Sequence, residues 1–264
     1  MIKINSGIDT LLEAAGKTLE TAPKLYDDLF QPAAKQVGKT LELIPRSINA
    51  ALSPAWNWVI HREYNMAETE KLLSEKLKNV DPNKIVQPEP YVAVPALQAI
   101  SYSMNNDVLR NLYANLIAKS MNIDTKDTVH PSFVEIIKQL SPLDAKLFDI
   151  LCKNVSNPII DLKRKEKNNS GSIALVNNIC NINIATVESL SVSIDNLERL
   201  KLISIPYGTY YVDDDLYAPF YDHEIYKQYK EMYGQTDSYE LDITKKLIFI
   251  TDMGKSFHKI CVNN

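Results

Sequence analysis

Leu109, Leu112, Tyr113, Leu116, Ile117 and Met121 recur at helical spacing. That is the period of an α-helix burying one broad face, where a strand would alternate every second residue. The segment therefore predicts a helix held among neighbours. Similar patterns lie on either side. Residues 65–79 place Leu72, Leu73 and Leu77 inward, and a short helix carries Phe133, Ile136, Ile137 and Leu140. Residues 7–31 and 32–44 read as further helices, broken by Pro23 and closed by Pro45. Pro82, Pro88, Pro90 and Pro95 make residues 81–95 an extended connector. Pro95 suits the first turn of a helix with Leu97, Ile100 and Met104, and Asn106 or Asp107 can cap the next. Ser141-Pro142-Leu143-Asp144 is a helix start: the serine accepts from the backbone, the proline pre-sets the turn, and the acid suits the dipole.

The pattern changes after residue 172. Lys163–Ser172 reads as a polar loop, since the basic run Lys163-Arg164-Lys165 is followed by Asn168, Asn169 and Gly171. A short helix is expected over 184–190 and a second from Ser191, with Ile194, Leu197 and Leu200 inward. Leu202–Ile205 and Lys246–Ile250 read as strands, and Thr251 opens a last helix. That order is similar to a winged helix–turn–helix. One departure is Lys201, where glycine often ends such a helix. The expected fold class is mainly α: a helical region over 1–140, then a winged-helix-like α+β region over 141–264, with an acidic, tyrosine-rich insertion at about 205–244.

Composition narrows the chemistry. The formal charge is -4, so no global basic field draws nucleic acid. Seven glycines, without GxxxxGK[ST] or GxGxxG, argue against a phosphate-cradling loop. His61, His130, His223 and His258 stand at no metal-ligand spacing. Cys152, Cys180 and Cys261 form no CxxC and sit among apolar residues, so they read as buried thiols in a reducing compartment. No cofactor and no metal is expected. The first residues lack a signal peptide's apolar core, and no run reaches the length of a membrane span. A cytoplasmic protein is expected.

Several segments resemble the abortive infection alpha family of prokaryotic phage-defence proteins. They are Asp28–Lys39 (DLFQPAAKQVGK), Ala51–Pro54 (ALSP), Val94–Leu97 (VPAL), Leu109–Ala118 (LRNLYANLIA), His130–Ile137 (HPSFVEII) and Leu140–Pro142 (LSP). The resemblance is firm from about 28 to 152 and looser beyond. It implies a role in phage resistance and carries no catalytic residues. Within it, His130, Pro131, Ser132 and Phe133 form the most distinctive motif. His130 can be a general base or a cap; the cap is the simpler reading, because no nucleophile is legible beside it.

Three surfaces remain. Ser193, Asn196 and Arg199 would face outward from the second of the two helices and could reach base edges, but Asp195 and Glu198 among them would repel phosphates. The 205–244 stretch holds nine acidic residues, two lysines and nine of the fourteen tyrosines. Tyr210, Tyr211, Asp213, Asp214, Asp215 and Tyr217 in it suit a protein partner, though tyrosines also pack subdomains. Trp56 and Trp58, in the apolar run 48–60, are expected to be core, with a membrane-interface role as the alternative. The expected function is a non-enzymatic phage-defence protein that contacts a phage or host protein. The alternatives are a DNA-binding regulator and an effector that meets the membrane only conditionally.

Overall fold

A computed structural model describes residues 63–103, 105–154, 157–168, 171–233 and 236–263. The helices expected at 7–44, the Asp28–Lys39 and Ala51–Pro54 segments, His61 and the Trp56/Trp58 run lie outside the described residues. What is described is mostly helical, with one antiparallel sheet of four strands. The chain divides into two compact units. The first takes residues up to 105 and 113–134; the second takes 106–112 and 135–263. The division thus falls near 134/135, a few residues before the expected 140/141.

The first unit contains α1 (Glu63–Leu77), α2 (Pro90–Tyr102) and most of α3 (Asp107–Ser120). Its core is what the helical period selects: Leu73, Leu77, Leu97, Ile100, Leu116 and Ile117 are all essentially inaccessible. Asn106 caps α3, its Oδ1 accepting from Leu109 N–H at 3.1 Å. One boundary differs from expectation. α2 begins at Pro90, and Pro95 lies inside it. Pro90 takes the first-turn position, where a missing N–H costs nothing, and the Glu89 carbonyl receives Val92 and Ala93 N–H.

The second unit is built on α5 (Pro142–Lys153), β1 (Asn157–Glu166), β2 (Ser172–Cys180), α6 (Val187–Arg199), β3 (Ile203–Ser204), α7 (Ala218–Tyr221), α8 (Glu224–Tyr233), β4 (Tyr239–Ile250) and α9 (Asp252–Phe257); the short α4 (Ser132–Lys138) precedes them. The strand order is β2-β1-β4-β3, antiparallel throughout. α5 starts in a full capping box: Asp144 N–H donates to Ser141 Oγ at 3.1 Å and Ser141 N–H to Asp144 Oδ2 at 2.7 Å. Phe148 of α5 meets Phe257 of α9 with ring centroids 5.9 Å apart. On the sheet, Ile160, Leu162 and Ile179 form a second apolar cluster with Tyr217 and Phe220 from the segment between β3 and β4.

Three expectations are corrected here. Residues 163–166 are strand, and Lys163–Ser172 closes a β-hairpin. Its charges are tolerable in a strand because β4 supplies opposite charge and an aromatic ring: Lys165 pairs with Glu240 at 3.1 Å, and Arg164 lies over Tyr239 at 4.3 Å. The two helices expected at 184–190 and from 191 are one, α6, capped by Thr186. Strand β2 therefore precedes it where a further helix was expected. The insertion at about 205–244 folds into a 3₁₀ turn (Asp214–Tyr217), α7 and α8 before it enters β4.

Lys201 explains its own oddity. It takes φ +58°, the left-handed region. Leu202 N–H reaches Leu197 C=O at 3.0 Å and Lys201 N–H reaches Glu198 C=O at 2.9 Å, which closes α6 in a Schellman motif. Glycine adopts this backbone without strain, so Lys201→Gly should stabilise the protein by about 1 kcal/mol. A urea midpoint that stays put or falls would show that the lysine side chain compensates.

Candidate functional site

The sheet is irregular at one place. The pairing of β1 with β2 slips between Ile160 and Leu162, and again before Lys163. Asn178, opposite the slip, has φ +55°. A bulge of this kind re-aims side chains, and here it gathers a polar cluster. Asp161 Oδ1 accepts Asn178 N–H at 2.8 Å and Lys246 Nζ at 2.7 Å. Lys246 also donates to Asn178 Oδ1, and Asn178 Nδ2 donates to Asp195 Oδ1 at 2.7 Å. Asp161 is 8% exposed and Asn178 6%. A carboxylate so placed needs several donors to offset its lost hydration, and it has them. Lys246 stands on β4 opposite Ile159, diagonal to Asp161 on the same face of the sheet.

This cluster is part of the wall of a groove of about 1110 Å³. β4 contributes Ile243 to Lys246, and α6 contributes Asp195 and Glu198. The far wall is the segment that leaves β3: Ile205 to Gly208, Tyr210 and Val212. Two bonds fix this segment. Ile205 N–H donates to Glu198 Oε1 at 2.9 Å, and Tyr211 N–H donates to Tyr217 Oη at 3.1 Å. The Tyr217 hydroxyl donates in turn to Lys246 C=O at 3.1 Å. β3 pairs with β4 only at Phe249 and Ile250. Among the described residues no strand covers the outer side of β4 from Glu240 to Ile248.

The residues singled out for a protein partner separate here. Tyr210 is 54% exposed, and Asp213, Asp214 and Asp215 are exposed. Tyr211 is half-buried. Tyr217 is core, 1% exposed, which corrects its reading as a surface residue. Its ring packs on Phe220 and beneath Lys245, whose ammonium is paired with Asp214. Asp213 caps the following turn through Asp215 N–H at 3.1 Å. Tyr207 and Val212 were not singled out, yet they are the most exposed large apolar residues on this rim, at 106% and 91%.

Of the residues considered for DNA contact, Ser193 is buried, Asn196 half-buried and Arg199 exposed. Ser193 is 2% exposed, which corrects its outward placement. Asn196 Nδ2 donates to Gln139 C=O and to Asp144 Oδ2, both at 2.9 Å, and its Oδ1 accepts from Arg199. Arg199 also donates to Gln139 Oε1 at 2.8 Å. These groups tie α6 to the start of α5. Arg199 remains exposed while making these bonds.

His130 caps α4. Its Nδ1 accepts Ser132 N–H at 3.1 Å and lies 2.6 Å from Ser132 Oγ. Its ring sits 5.9 Å from Phe133, which is fully buried, and the Pro131 carbonyl receives Val134 N–H. Nδ1 is thereby an acceptor occupied by local bonds. The cysteines are held as thiols by burial: Cys152 is pushed up to about 12, Cys180 to about 11, and Cys261 well above its usual value. A smaller cavity of about 440 Å³ is lined by Cys152 and His258. Among the described residues no group of acids, histidines and cysteines could hold a metal ion, and no helix is long and apolar enough to cross a membrane.

The described residues form a mainly helical chain whose second unit carries a half-open antiparallel sheet beside an aromatic rim. The family model for abortive infection alpha matches residues 61–261, and the chain belongs to that family. The match runs well past residue 152, so the C-terminal unit is as much a part of the family as the helical motifs, whereas the segments at 28–39 and 51–54 precede it. No curated protein and no solved structure matches the chain.

Proposed function

We propose that this chain is a non-enzymatic component of phage defence inside the cell, and that it acts by binding a phage or host protein through the acidic, aromatic rim of its C-terminal unit. Membership of the abortive infection alpha family supports the defence role. The observation that carries the contact reading is the open display of Tyr207, Tyr210 and Val212 beside Asp213, Asp214 and Asp215. Large side chains held in water on one rim lose the favourable burial that a partner would restore. The order β1-β4-β3, with α5 before β1 and α6 before β3, also supports descent from a winged helix in which β2 replaces the first helix of the DNA-reading pair. This chain then uses the unit for protein contact, since Asn196 and Arg199 are bonded to Gln139 and the 205–244 stretch is strongly acidic.

The test is phage plating on a host expressing the chain, at low and high phage load. The native chain should protect the culture at low load. Replacing Tyr207, Tyr210 and Val212 together by serine should reduce protection by more than about ten-fold, as loss of an anchoring cluster does, with the melting temperature unchanged. Full protection by this variant would refute the reading. Fluorescence anisotropy with duplex DNA at physiological salt should show no sub-micromolar binding; tight, salt-sensitive binding abolished by Arg199→Ala would favour a regulator instead.

A further inference from the structure

The groove is bounded by an unpaired strand edge, and that fixes the chemistry of what fits it. The outer side of β4 over Ile243–Lys246 borders the same cavity as the Ile205–Val212 segment and has no strand beside it among the described residues; at its end Lys246 C=O accepts the Tyr217 hydroxyl, which leaves the row from Ile243 to Lys245. An unpaired edge presents backbone donors and acceptors in a row, the template for an added strand. Long open edges are ordinarily blunted by prolines, short strands or inward charges. β4 is twelve residues long and contains no proline. Its lysines at this place point to partners of their own rather than out along the edge: Lys245 is paired with Asp214 and Lys246 with Asp161.

The charges left over select the occupant. Those two ion pairs cancel. On the α6 lip, Asp195 accepts a neutral amide and Glu198 accepts a backbone N–H. Neither carboxylate has a cation within ion-pair distance among the described residues, and Lys163 is the one further charged residue of the lining. The opposite rim offers Tyr207 and Tyr210, whose faces attract guanidinium and ammonium groups. A second copy of this chain does not fit the same edge. A copy presenting the same edge would bring its own Asp195/Glu198 lip and acidic 205–244 stretch against this one, like charge against like.

We infer that the outer edge of β4 at Ile243–Lys245 takes an extended, basic segment of a partner protein as an added strand, with its basic side chains between the Asp195/Glu198 lip and the Tyr207/Tyr210 rim. Three residues of strand span about 10 Å, enough for a short linear segment. This rests on the protein-contact reading above and specifies how the contact is made. It also explains why the rim is aromatic and the lip acidic while the lysines of β4 are tied back.

The probe is a short fluorescein-labelled peptide of alternating arginine and valine, titrated with the full-length chain and followed by anisotropy. Two controls are used: alternating glutamate and valine, and the arginine–valine peptide N-methylated along its central amides. The basic peptide should bind saturably, slowing amide exchange over 240–248. Each control should bind at least about ten-fold more weakly, as should the basic peptide to the Asp195→Asn/Glu198→Gln variant. These substitutions keep both acceptor oxygens, so the local bonds persist. Equal binding of the N-methylated peptide would mean charge attraction without strand pairing and would overturn the inference, as would no binding of the basic peptide. If the peptide fails while the serine variant of Tyr207, Tyr210 and Val212 still loses phage protection, the rim contacts its partner by another mode. If neither responds, the protein-contact reading falls as well.

Discussion

Gly254→Ala should cost about 3 kcal/mol, although helix propensity alone predicts a gain of about 1 kcal/mol. Gly254 is buried in the first turn of α9. A Cβ there would stand 2.1 Å from the Leu202 carbonyl oxygen and 3.0 Å from Ile250 Cγ2. The nearer atom is backbone and cannot swing away. It is also in use, since Leu202 C=O receives Thr251 N–H at 3.2 Å, and beside it the Thr251 hydroxyl donates to Lys201 C=O. Thr251 Oγ1 in turn accepts Gly254 N–H at 2.9 Å. Relieving the clash therefore means separating α9 from the turn that closes α6, and losing these bonds together. The two effects differ in sign, which makes the experiment decisive. Urea unfolding followed by circular dichroism should show a lower midpoint for the alanine variant; a higher one would mean that the turn yields and propensity prevails.

The residues that wrote themselves into the sequence are those whose partners are close along the chain. The stripe from Leu109 to Met121, the Ser141–Asp144 box and the cap at Thr251 are all settled within one or two helical turns, and each forms where the pattern puts it. Lys201 belongs with them: its departure from glycine was visible, and the left-handed backbone follows from the six-residue closure of α6. The β1–β2 hairpin was not legible, because Lys163-Arg164-Lys165 is poor strand composition until Glu240 and Tyr239 arrive from β4, far along the chain. Ser193 was misplaced for a similar reason: a lone helix turns it outward, and its burial depends on packing far along the chain. The bonds of Asn196 and Arg199 to Gln139 and Asp144 are likewise long-range. The groove is wholly long-range: Asn178 is 17 residues from Asp161 and 68 from Lys246. The one local sign was Asn177-Asn178 inside an otherwise apolar strand, a pair that tolerates the left-handed backbone of a bulge.

Asp161→Ala should cost about 3–5 kcal/mol, since it leaves the Lys246 ammonium and the Asn178 N–H in a largely dry site without their acceptor. The side chains of Asp161 and Lys246 are 11% and 21% exposed, so water recovers little of the loss. Asp161→Asn should cost less. Its amide oxygen can still receive Asn178 N–H, and what it gives up is the charge facing Lys246. Replacing both ends of the pair, Asp161→Ala with Lys246→Met, should recover part of the cost, because no charge is then left buried alone. High salt should change these differences little, as screening acts weakly on a pair inside the fold. With Lys246→Met as the second single variant, the urea midpoints of the cycle decide the matter. If the double variant is as unstable as the sum of the single ones, the pair is not coupled, and the bulge is held by Asn178 and Asp195 instead. If coupling appears, the ion pair holds β1, β2 and β4 in register at the groove wall, and Asp161→Ala should also weaken whatever binds there.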